Sequence, residues 1–297
     1  MKLTCLTAKY GMATEVSGHA KTCCLANQQF VDSSGNPMTF DAHGPEEIWK
    51  SDHRRKILSD LENGIQHPNC TVCWQEEAVG RPSKRLRETE YWEKYETQIT
   101  DITGPETPFY LDLKLGNTCN LRCRTCNSVN SSSWMTEEYE VKHANTNLTK
   151  KQFLSRFDII KNSYSEENEE LWETLEEWIP KSKKIDFYGG EPFLIEKPWK
   201  LLHKCVETGV SKEQSLHCNT NTTIIPSKEQ EQVIVNFKEV DLSLSIDGIG
   251  SAFEYMRYPA KWNEVLSNID YFFDLKRKHD NINITFCYTI SIMNIHH

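Results

Sequence analysis

The stretch GNTCNLRCRTCN, residues 116–127, places three cysteines, Cys119, Cys123 and Cys126, on one short segment. Soft thiolate ligands select zinc, copper(I) or iron–sulfur clusters. A structural zinc site takes four protein ligands, and only three cysteines are local here. Either a distant side chain supplies the fourth ligand, or one coordination position is left open for a substrate or a cofactor.

Composition and charge exclude several classes of protein. The chain has 297 residues, of which 38% are hydrophobic and 26% charged, and it has no apolar run long enough to span a membrane. The formal net charge of −9 and the lack of an arginine-rich block disfavour nucleic-acid binding. The N-terminus, MKLTCLTAKYG, lacks the apolar core of a signal peptide, which predicts a cytoplasmic protein. In that reducing compartment, eleven cysteines favour metal or redox roles over a disulfide framework.

Short β-like runs alternate with helical stretches from residue 108 onward. The five β-like runs are FYLDLKLG, KIDFYGG, SLHCNTN, VDLSLSIDG and NITFCYTISI. The helical stretches after the first run are LWETLEEWIPKS, WKLLHKCVETG, KEQEQVIVNF and WNEVLSNIDYFFDLKRK. This alternation predicts an α/β fold with a parallel sheet, either open or closed as a barrel. The long polar connection 128–183 is expected to carry several helices.

The N-terminal part has a different character. Residues 1–80 are rich in cysteine and turn residues, and residues 81–107 predict a charged helical linker before a core domain at 108–297. Within the first part, PEEIWKSDHRRKILSDLENG, residues 45–64, has the apolar spacing of one helix that stops at Gly64. HPNCTVCWQEE follows as a tight cysteine-containing turn.

The three-cysteine segment resembles a family signature. C-x3-C-x2-C directly after the first strand of a strand–helix domain is similar to the motif of the radical S-adenosylmethionine (radical SAM) enzymes. The resemblance implies a partial (β/α) barrel in which Cys119, Cys123 and Cys126 hold a catalytic 4Fe–4S cluster, with SAM chelating the fourth iron. It also implies that an electron cleaves SAM to a 5′-deoxyadenosyl radical, which abstracts a hydrogen atom from the substrate. An external one-electron donor, flavodoxin- or ferredoxin-like, is then required.

A second motif of the same family follows the second β-like run. YGGEP, residues 188–192, resembles the GGE motif, which implies that Gly189, Gly190 and Glu191 receive the methionine ammonium group of SAM. Glycines permit close approach of the backbone. Glu191 offers a negative partner for a cation.

Two further motifs come in the family's order. CNTNTT resembles the TNG segment, which implies that Thr220 and Asn221 line the SAM site, although Thr222 stands where glycine is usual. LSLSIDG matches an S-x-D-G pattern, which implies that Ser245 and Asp247 reach the ribose.

Arg257, in FEYMRYPAKW, would then pair with the SAM carboxylate. Thr125 replaces the aromatic residue that many members carry before the third cysteine, so adenine packing must come from elsewhere. Taken singly, each of these motifs is also ordinary turn chemistry at a strand end. Their common place at strand C-termini, where parallel α/β folds put their sites, favours the functional interpretation.

Four N-terminal cysteines form two pairs, Cys5 with Cys23 and Cys70 with Cys73. Their four thiolates fit either a zinc site or a fully ligated iron–sulfur cluster. GHAKTCC, EEIWKSDHRRKIL and GIQHPNCTVC resemble the twitch domain, a shortened SPASM domain that accompanies radical SAM enzymes. The resemblance implies an auxiliary 4Fe–4S cluster, with Cys24 as a substitute for Cys23. The module usually follows the barrel, whereas here it precedes it. The ligands implied are Cys5, Cys23, Cys70 and Cys73.

The end of the sequence departs from the family. The partial barrel usually has six strand–helix units, and only five β-like runs occur before ISIMNIHH. The barrel is therefore expected to be cut short after the fifth strand, as in a fragment, which we favour, an incomplete reading frame or a shortened barrel closed by a partner. Cys205, Cys218 and Cys287 are expected to be small buried hydrophobic residues.

The sequence thus predicts a radical SAM enzyme with an N-terminal twitch domain. Its substrate is expected to be a peptide, a protein or a small molecule, with no nucleic acid or membrane as partner. The alternative is a non-catalytic structural or interaction protein that binds zinc or an iron–sulfur cluster.

Overall fold

Seven strands form a single mixed sheet in the computed structural model, which describes residues 3–96, 104–143 and 145–296. The strand order is β2-β1-β3-β4-β5-β6-β7, and every neighbouring pair is parallel except β1 and β2. β3 to β7 coincide with the five predicted runs, which confirms the predicted α/β class and parallel sheet. The bounds are β1 Gly11–Thr14, β2 Ala20–Lys21, β3 Tyr110–Lys114, β4 Lys184–Tyr188, β5 Ser215–Thr220, β6 Glu239–Ser245 and β7 Ile282–Cys287.

The first two strands come from the N-terminal part of the chain and were not predicted. In β1, Gly11 pairs with Tyr110 and Ala13 with Asp112 of β3. The sheet therefore continues without a break from the core strands into the cysteine-rich N-terminal part.

The helices lie before, between and after these strands. In the described residues they are α1 Leu6–Tyr10, α2 Pro45–Trp49, α3 Asp52–Glu62, α4 Thr71–Ala78, α5 Lys84–Glu96, α6 Trp134–Lys142, α7 Lys150–Ser155, α8 Asp158–Ser163, α9 Glu169–Trp178, α10 Glu196–Glu207, α11 Lys228–Asn236, α12 Gly250–Met256 and α13 Trp262–Lys278. The connection 128–183 carries α6 to α9, as predicted. No described helix has the length and apolar character needed to cross a bilayer.

Two local predictions were wrong. The single helix predicted for 45–64 is two helices, α2 and α3, because Ser51 caps the second by accepting a hydrogen bond from the Arg54 N–H at 3.4 Å. The predicted cysteine turn is a 3-10 turn, Pro68–Cys70, that continues directly into α4, so that Cys73 lies on a helix.

The two faces of the sheet differ in polarity because side chains alternate along each strand. Leu111, Ile185, Leu216 and Leu242 belong to one buried apolar cluster that includes Trp49, Trp172, Trp178 and residues of α10, α11 and α13.

The other face carries a row of paired polar residues, in which Asp112 of β3 lies beside Asp186, Asp186 beside His217, and His217 beside Asp241. Cys205 and Cys218 are buried as predicted, but Cys287 is exposed on β7, so its predicted burial was wrong.

Candidate functional site

The three-cysteine segment forms the loop that leaves the carboxyl end of β3. Cys119, Cys123 and Cys126 are free thiols, each partly buried. Burial is the main cause that raises the pKa of Cys123 to about 12; Arg257 lowers it, and the charges of Cys119 and Cys126 raise it. The charge of Cys119 likewise raises the pKa of Cys126, behind the larger effect of burial. The three thiols therefore lie within electrostatic reach of one another.

Contacts to the backbone hold this loop in shape. The N–H groups of Arg122 and Arg124 donate to the carbonyls of Tyr258 and Met256, at 2.7 and 2.8 Å. The indole N–H of Trp134 donates to the Cys123 carbonyl at 3.1 Å. These three bonds hold the backbone of the loop through main-chain groups and use none of its thiols.

The turn after β4 packs directly on the cysteine loop. Gly189 and Gly190 have φ values of +87° and +54°, in the left-handed region that favours glycine. A Cβ at Gly190 would collide with the carbonyl oxygen of Thr118, whereas the Glu191 N–H donates to that same oxygen at 2.8 Å. The two glycines thus permit a close approach between this turn and the loop.

The carboxylate of Glu191 is fully buried beneath this turn. One oxygen, Oε1, accepts from the Thr220 hydroxyl at 2.9 Å and from the Phe193 N–H at 3.4 Å. The other, Oε2, accepts from the Asn221 N–H at 2.7 Å. Burial raises the pKa of Glu191 to about 7, although these three donors and Arg257 lower it.

The segment after β5 meets the cysteine loop from the next strand. The side-chain amide of Asn221 donates to Asn120 Oδ1 at 2.9 Å and lies 3.9 Å from the Cys119 sulfur. Thr222 has a φ of +67° and is completely buried. A β-branched residue rarely adopts this conformation, and it stands where the resembling family has glycine.

An ion pair follows β6. Asp247 Oδ2 lies 2.8 Å from the Arg257 guanidinium, and both side chains are largely buried. Asp247 Oδ1 accepts from the Thr289 N–H at 2.8 Å. Ser245 ends β6, where it pairs with Cys287. Arg257 is close enough to Cys123 and to Glu191 for its charge to lower the pKa of each.

The predicted residues of this site therefore meet at the carboxyl ends of β3 to β6. Sequence reasoning missed Thr118 and Asn120, whose contacts join the cysteine loop to the turns after β4 and β5. Both lie inside or beside the cysteine motif, so the motif itself was the available signal. Sequence reasoning also missed Trp134, whose indole N–H donates to the Cys123 carbonyl, and Tyr258, whose carbonyl accepts from the Arg122 N–H. No motif marks either residue, because each of these bonds forms with a main-chain group of the loop.

A second cysteine site lies in the N-terminal part. Cys5, Cys23, Cys70 and Cys73 line one pocket of about 410 Å³, its solvent-open part included. Burial raises the pKa of Cys5, Cys23 and Cys70 to about 12 in each case. Cys24 is not among the lining residues.

Cys24 lies elsewhere, toward the polar face of the sheet. Burial raises its pKa most, and the neighbouring charges that act on it are Lys84, Asp112, Lys114 and Asp186. The structure therefore brings together Cys5, Cys23, Cys70 and Cys73, the ligands that the resemblance implies, and leaves Cys24 outside their pocket.

The thiols of the two sites do not converge on a single point. Within the described ranges, no group of three or more His, Cys, Asp or Glu side chains is placed to hold one metal ion. A zinc site needs its sulfurs about 2.3 Å from one ion. In an iron–sulfur cluster each cysteine binds a different iron, so the sulfurs lie farther apart. Donor sets made only of thiols suit the soft metals, zinc and iron–sulfur clusters among them.

Comparison with known proteins gives a general likeness to one group of solved structures. No model of a known protein family matches the chain, and no curated protein matches it. SuiB of Streptococcus suis bound to S-adenosylmethionine is 11% identical, with a TM-score of 0.38, over 96% of this chain and 57% of that chain. SuiB bound to its precursor peptide SuiA is 10% identical, with a TM-score of 0.35, over 96% of this chain and 58% of that chain.

A third structure of SuiB is 11% identical, with a TM-score of 0.31, over 95% of this chain and 62% of that chain. The chain thus spans less than two thirds of the length of these SuiB chains.

Proposed function

We propose that this chain is a radical SAM enzyme whose catalytic 4Fe–4S cluster is held by Cys119, Cys123 and Cys126. The proposal rests on one observation: a single loop carries three free thiols, and the Gly189–Gly190 turn packs against that loop. The buried Asp247–Arg257 pair beside Cys123 adds to it. The parallel strands of the sheet would then belong to the partial (β/α) barrel of that family.

Each strand end supplies part of the proposed SAM site. The backbone of the glycine turn can approach the loop closely, and Arg257 offers a cation for the carboxylate of SAM. The residues proposed to surround SAM are Gly189, Gly190, Glu191, Thr220, Asn221, Ser245, Asp247 and Arg257. When bound, the cluster and SAM together supply a 5′-deoxyadenosyl radical that abstracts a hydrogen atom from the substrate.

The second pocket is proposed to hold an auxiliary 4Fe–4S cluster on Cys5, Cys23, Cys70 and Cys73, as in a twitch domain. Its support is that the four thiols share one pocket with the positively charged side chains of Lys84 and Arg85. Cations beside the pocket would offset the negative charge of a thiolate-bound cluster. Residues 1–80 would form this unit, 81–107 the linker and 108–297 the radical SAM core.

The proposed substrate is a peptide or a protein, the class that relatives with twitch or SPASM domains often modify, with a small molecule as the second candidate. The proposed electron donor is a flavodoxin- or ferredoxin-like protein in the cytoplasm. These two assignments rest on the family resemblance alone.

Anaerobic reconstitution with iron and sulfide tests the proposal. The wild type should bind about eight irons per chain and form 5′-deoxyadenosine from SAM with dithionite as reductant. Cys126→Ser should lose about four irons and all 5′-deoxyadenosine formation. Cys205→Ser is the matched control, because Cys205 is buried in α10 outside both sites. Tightly bound zinc without SAM cleavage would support the non-catalytic alternative, and iron in both sites without cleavage would refute enzymatic function.

The auxiliary site has its own test. Cys23→Ser should lower the iron content by about four per chain, whereas Cys24→Ser should leave it unchanged. The reason is that Cys23 lines the shared pocket and Cys24 does not. Iron analysis with Mössbauer spectroscopy of the two variants makes the measurement. Unchanged iron content in Cys23→Ser would show that Cys24 can replace its neighbour, and equal losses in the two variants would show that both thiols are needed.

A further inference from the structure

Glu191 lies where three segments of the site meet. Its main-chain N–H bonds to the cysteine loop at Thr118, and its carboxylate bonds to Thr220 and Asn221 at the end of β5. A third carboxylate bond, from the Phe193 N–H, closes its own turn. Glu191 therefore connects the turn after β4 to the segment after β5 through its side chain and to the cysteine loop through its main chain.

The carboxylate has little capacity left for a ligand. An ionised carboxylate accepts about four hydrogen bonds, and three donors from the protein are already in place. Glu191 is also completely buried, so the remaining lone pair does not reach the surface. A ligand's ammonium group would have to displace a protein donor to contact it.

The contacts of Glu191 continue toward a cysteine. Asn221, whose N–H is held by Glu191, places its side-chain amide on Asn120 Oδ1 at 2.9 Å and near the Cys119 sulfur at 3.9 Å. Asn120 in turn donates to the Thr223 hydroxyl at 2.9 Å. Glu191 therefore fixes the segment that contacts Cys119 without touching Cys119 through its own side chain.

We propose that Glu191 is a positioning residue that ties the segment after β5 to the cysteine loop, and that it makes no direct contact with the ammonium group of a bound ligand. The identity of that ligand, SAM, rests on the proposed function. The contacts of Glu191 with Thr118, Thr220 and Asn221 do not depend on it.

Two substitutions separate the roles. Glu191→Gln keeps the length and one acceptor oxygen for the Asn221 N–H, and the Thr220 hydroxyl can reverse its direction to accept from the new amide. Only the long bond from the Phe193 N–H, at 3.4 Å, loses its acceptor. Glu191→Asp keeps the charge but is one methylene shorter, so it loses its reach to Thr220 and Asn221. If Glu191 forms a direct ion pair with the ligand, binding depends on the negative charge of its side chain. If it positions the segment after β5, binding depends on the length of its side chain.

The first measurement is the affinity of reconstituted protein for SAM by isothermal titration calorimetry. We expect Glu191→Gln to bind within about threefold of the wild type and Glu191→Asp to bind at least tenfold more weakly. Retention of SAM affinity in Glu191→Gln, which is neutral but equally long, would show that Glu191 acts by positioning. The opposite order, with loss of affinity in Glu191→Gln and retention in Glu191→Asp, would overturn the proposal.

The second measurement uses the cluster-free chain and no ligand. Amide hydrogen exchange at Asn221 should accelerate at least tenfold in Glu191→Asp and stay within threefold in Glu191→Gln. Glu196→Gln, on the exposed first turn of α10, is the matched control and should change nothing. Unchanged exchange at Asn221 in Glu191→Asp would overturn the positioning role. A wild type that binds no SAM would instead refute the proposed function and leave this exchange result valid.

Discussion

Thr222 occupies a backbone conformation that costs free energy. Its φ of +67° is the one positive value among the described non-glycine residues, and its side chain is fully buried. A left-handed conformation costs an L-residue about 1–2 kcal/mol, and a β-branched one is the least suited to it. Such strain persists where surrounding contacts impose it, often at functional sites. Here Asn268 donates to the Thr222 carbonyl at 2.9 Å.

Replacement by glycine tests this strain. Thr222→Gly should lose less stability than Thr22→Gly, by about 1 kcal/mol or more, because relief of the strain offsets part of the lost burial. Thr22 is equally buried, at 2% exposure, but has no positive φ. Urea unfolding of both variants measures the difference. Equal losses would mean that Thr222 is not strained.

The buried carboxyl group of Glu191 makes stability depend on pH. Its pKa is about 7 in the folded chain against 4.5 in the reference state, mainly because of burial. Protonation is thus favoured by folding, so the contribution is full below pH 4.5 and is lost as pH rises through about 7. The free energy of unfolding of the wild type should fall relative to Glu191→Gln by up to about 3 kcal/mol over that range.

Urea titrations at several pH values, with Glu196→Gln as the exposed control, make this measurement. A stability difference between wild type and Glu191→Gln that does not vary with pH would contradict the expectation.

The sequence predicted that Glu191 belongs to the site, from its GGE motif. It could not show that the carboxylate is enclosed, because its three donors come from residues brought close only by folding.

At the scale of elements, the turn after β4 depends on its contact with the cysteine loop. Gly190→Ala places a Cβ against the Thr118 carbonyl, which belongs to the backbone and cannot swing away. Gly209→Ala is the matched control, since Gly209 also has a positive φ, +79°, but has open space around it.

Gly209→Ala should cost about 1–2 kcal/mol from the left-handed conformation alone. Gly190→Ala should cost at least about 1 kcal/mol more, because the backbone of the loop must also shift. Urea unfolding gives the two values, and hydrogen exchange should show faster exchange of the Glu191 N–H in Gly190→Ala only. Equal losses of stability in the two variants would mean that the backbone of the cysteine loop shifts without a measurable cost in free energy.

The core strands could be predicted because their pattern is local. β3 to β7 each combine alternating or apolar residues with a following turn signal, and the helices between them show the apolar spacing of packed helices. β1 could not be predicted in this way. It has only four residues, and it forms through pairing with β3, with Ala13 beside Asp112 far along the chain. β2, with two residues, depends in turn on β1.

At the scale of the whole molecule, the N-terminal part and the core share their apolar interior. One buried cluster contains Phe30, Trp49 and Leu58 together with Leu111 and Phe187. A smaller cluster joins Leu6 and Tyr10 of α1 to Trp92 of α5 and Tyr110 of β3. The proposed units 1–80, 81–107 and 108–297 are therefore in contact through buried side chains, and cooperative unfolding is expected.

Trp92 is the residue on which to test this cooperativity. It is fully buried, and its ring centroid lies 5.6 Å from that of Tyr10 and 5.8 Å from that of Tyr110. Trp92→Ala should lower the free energy of unfolding by about 3–5 kcal/mol in a single transition.

Amides of Ile57 in α3 and Leu242 in β6 should lose protection together in hydrogen exchange at rising urea concentration. Leu266→Ala, at a site 45% exposed on α13, should leave both nearly unchanged. If Ile57 lost protection while Leu242 kept it, the N-terminal part would be an independent unit held to the core only by its strand.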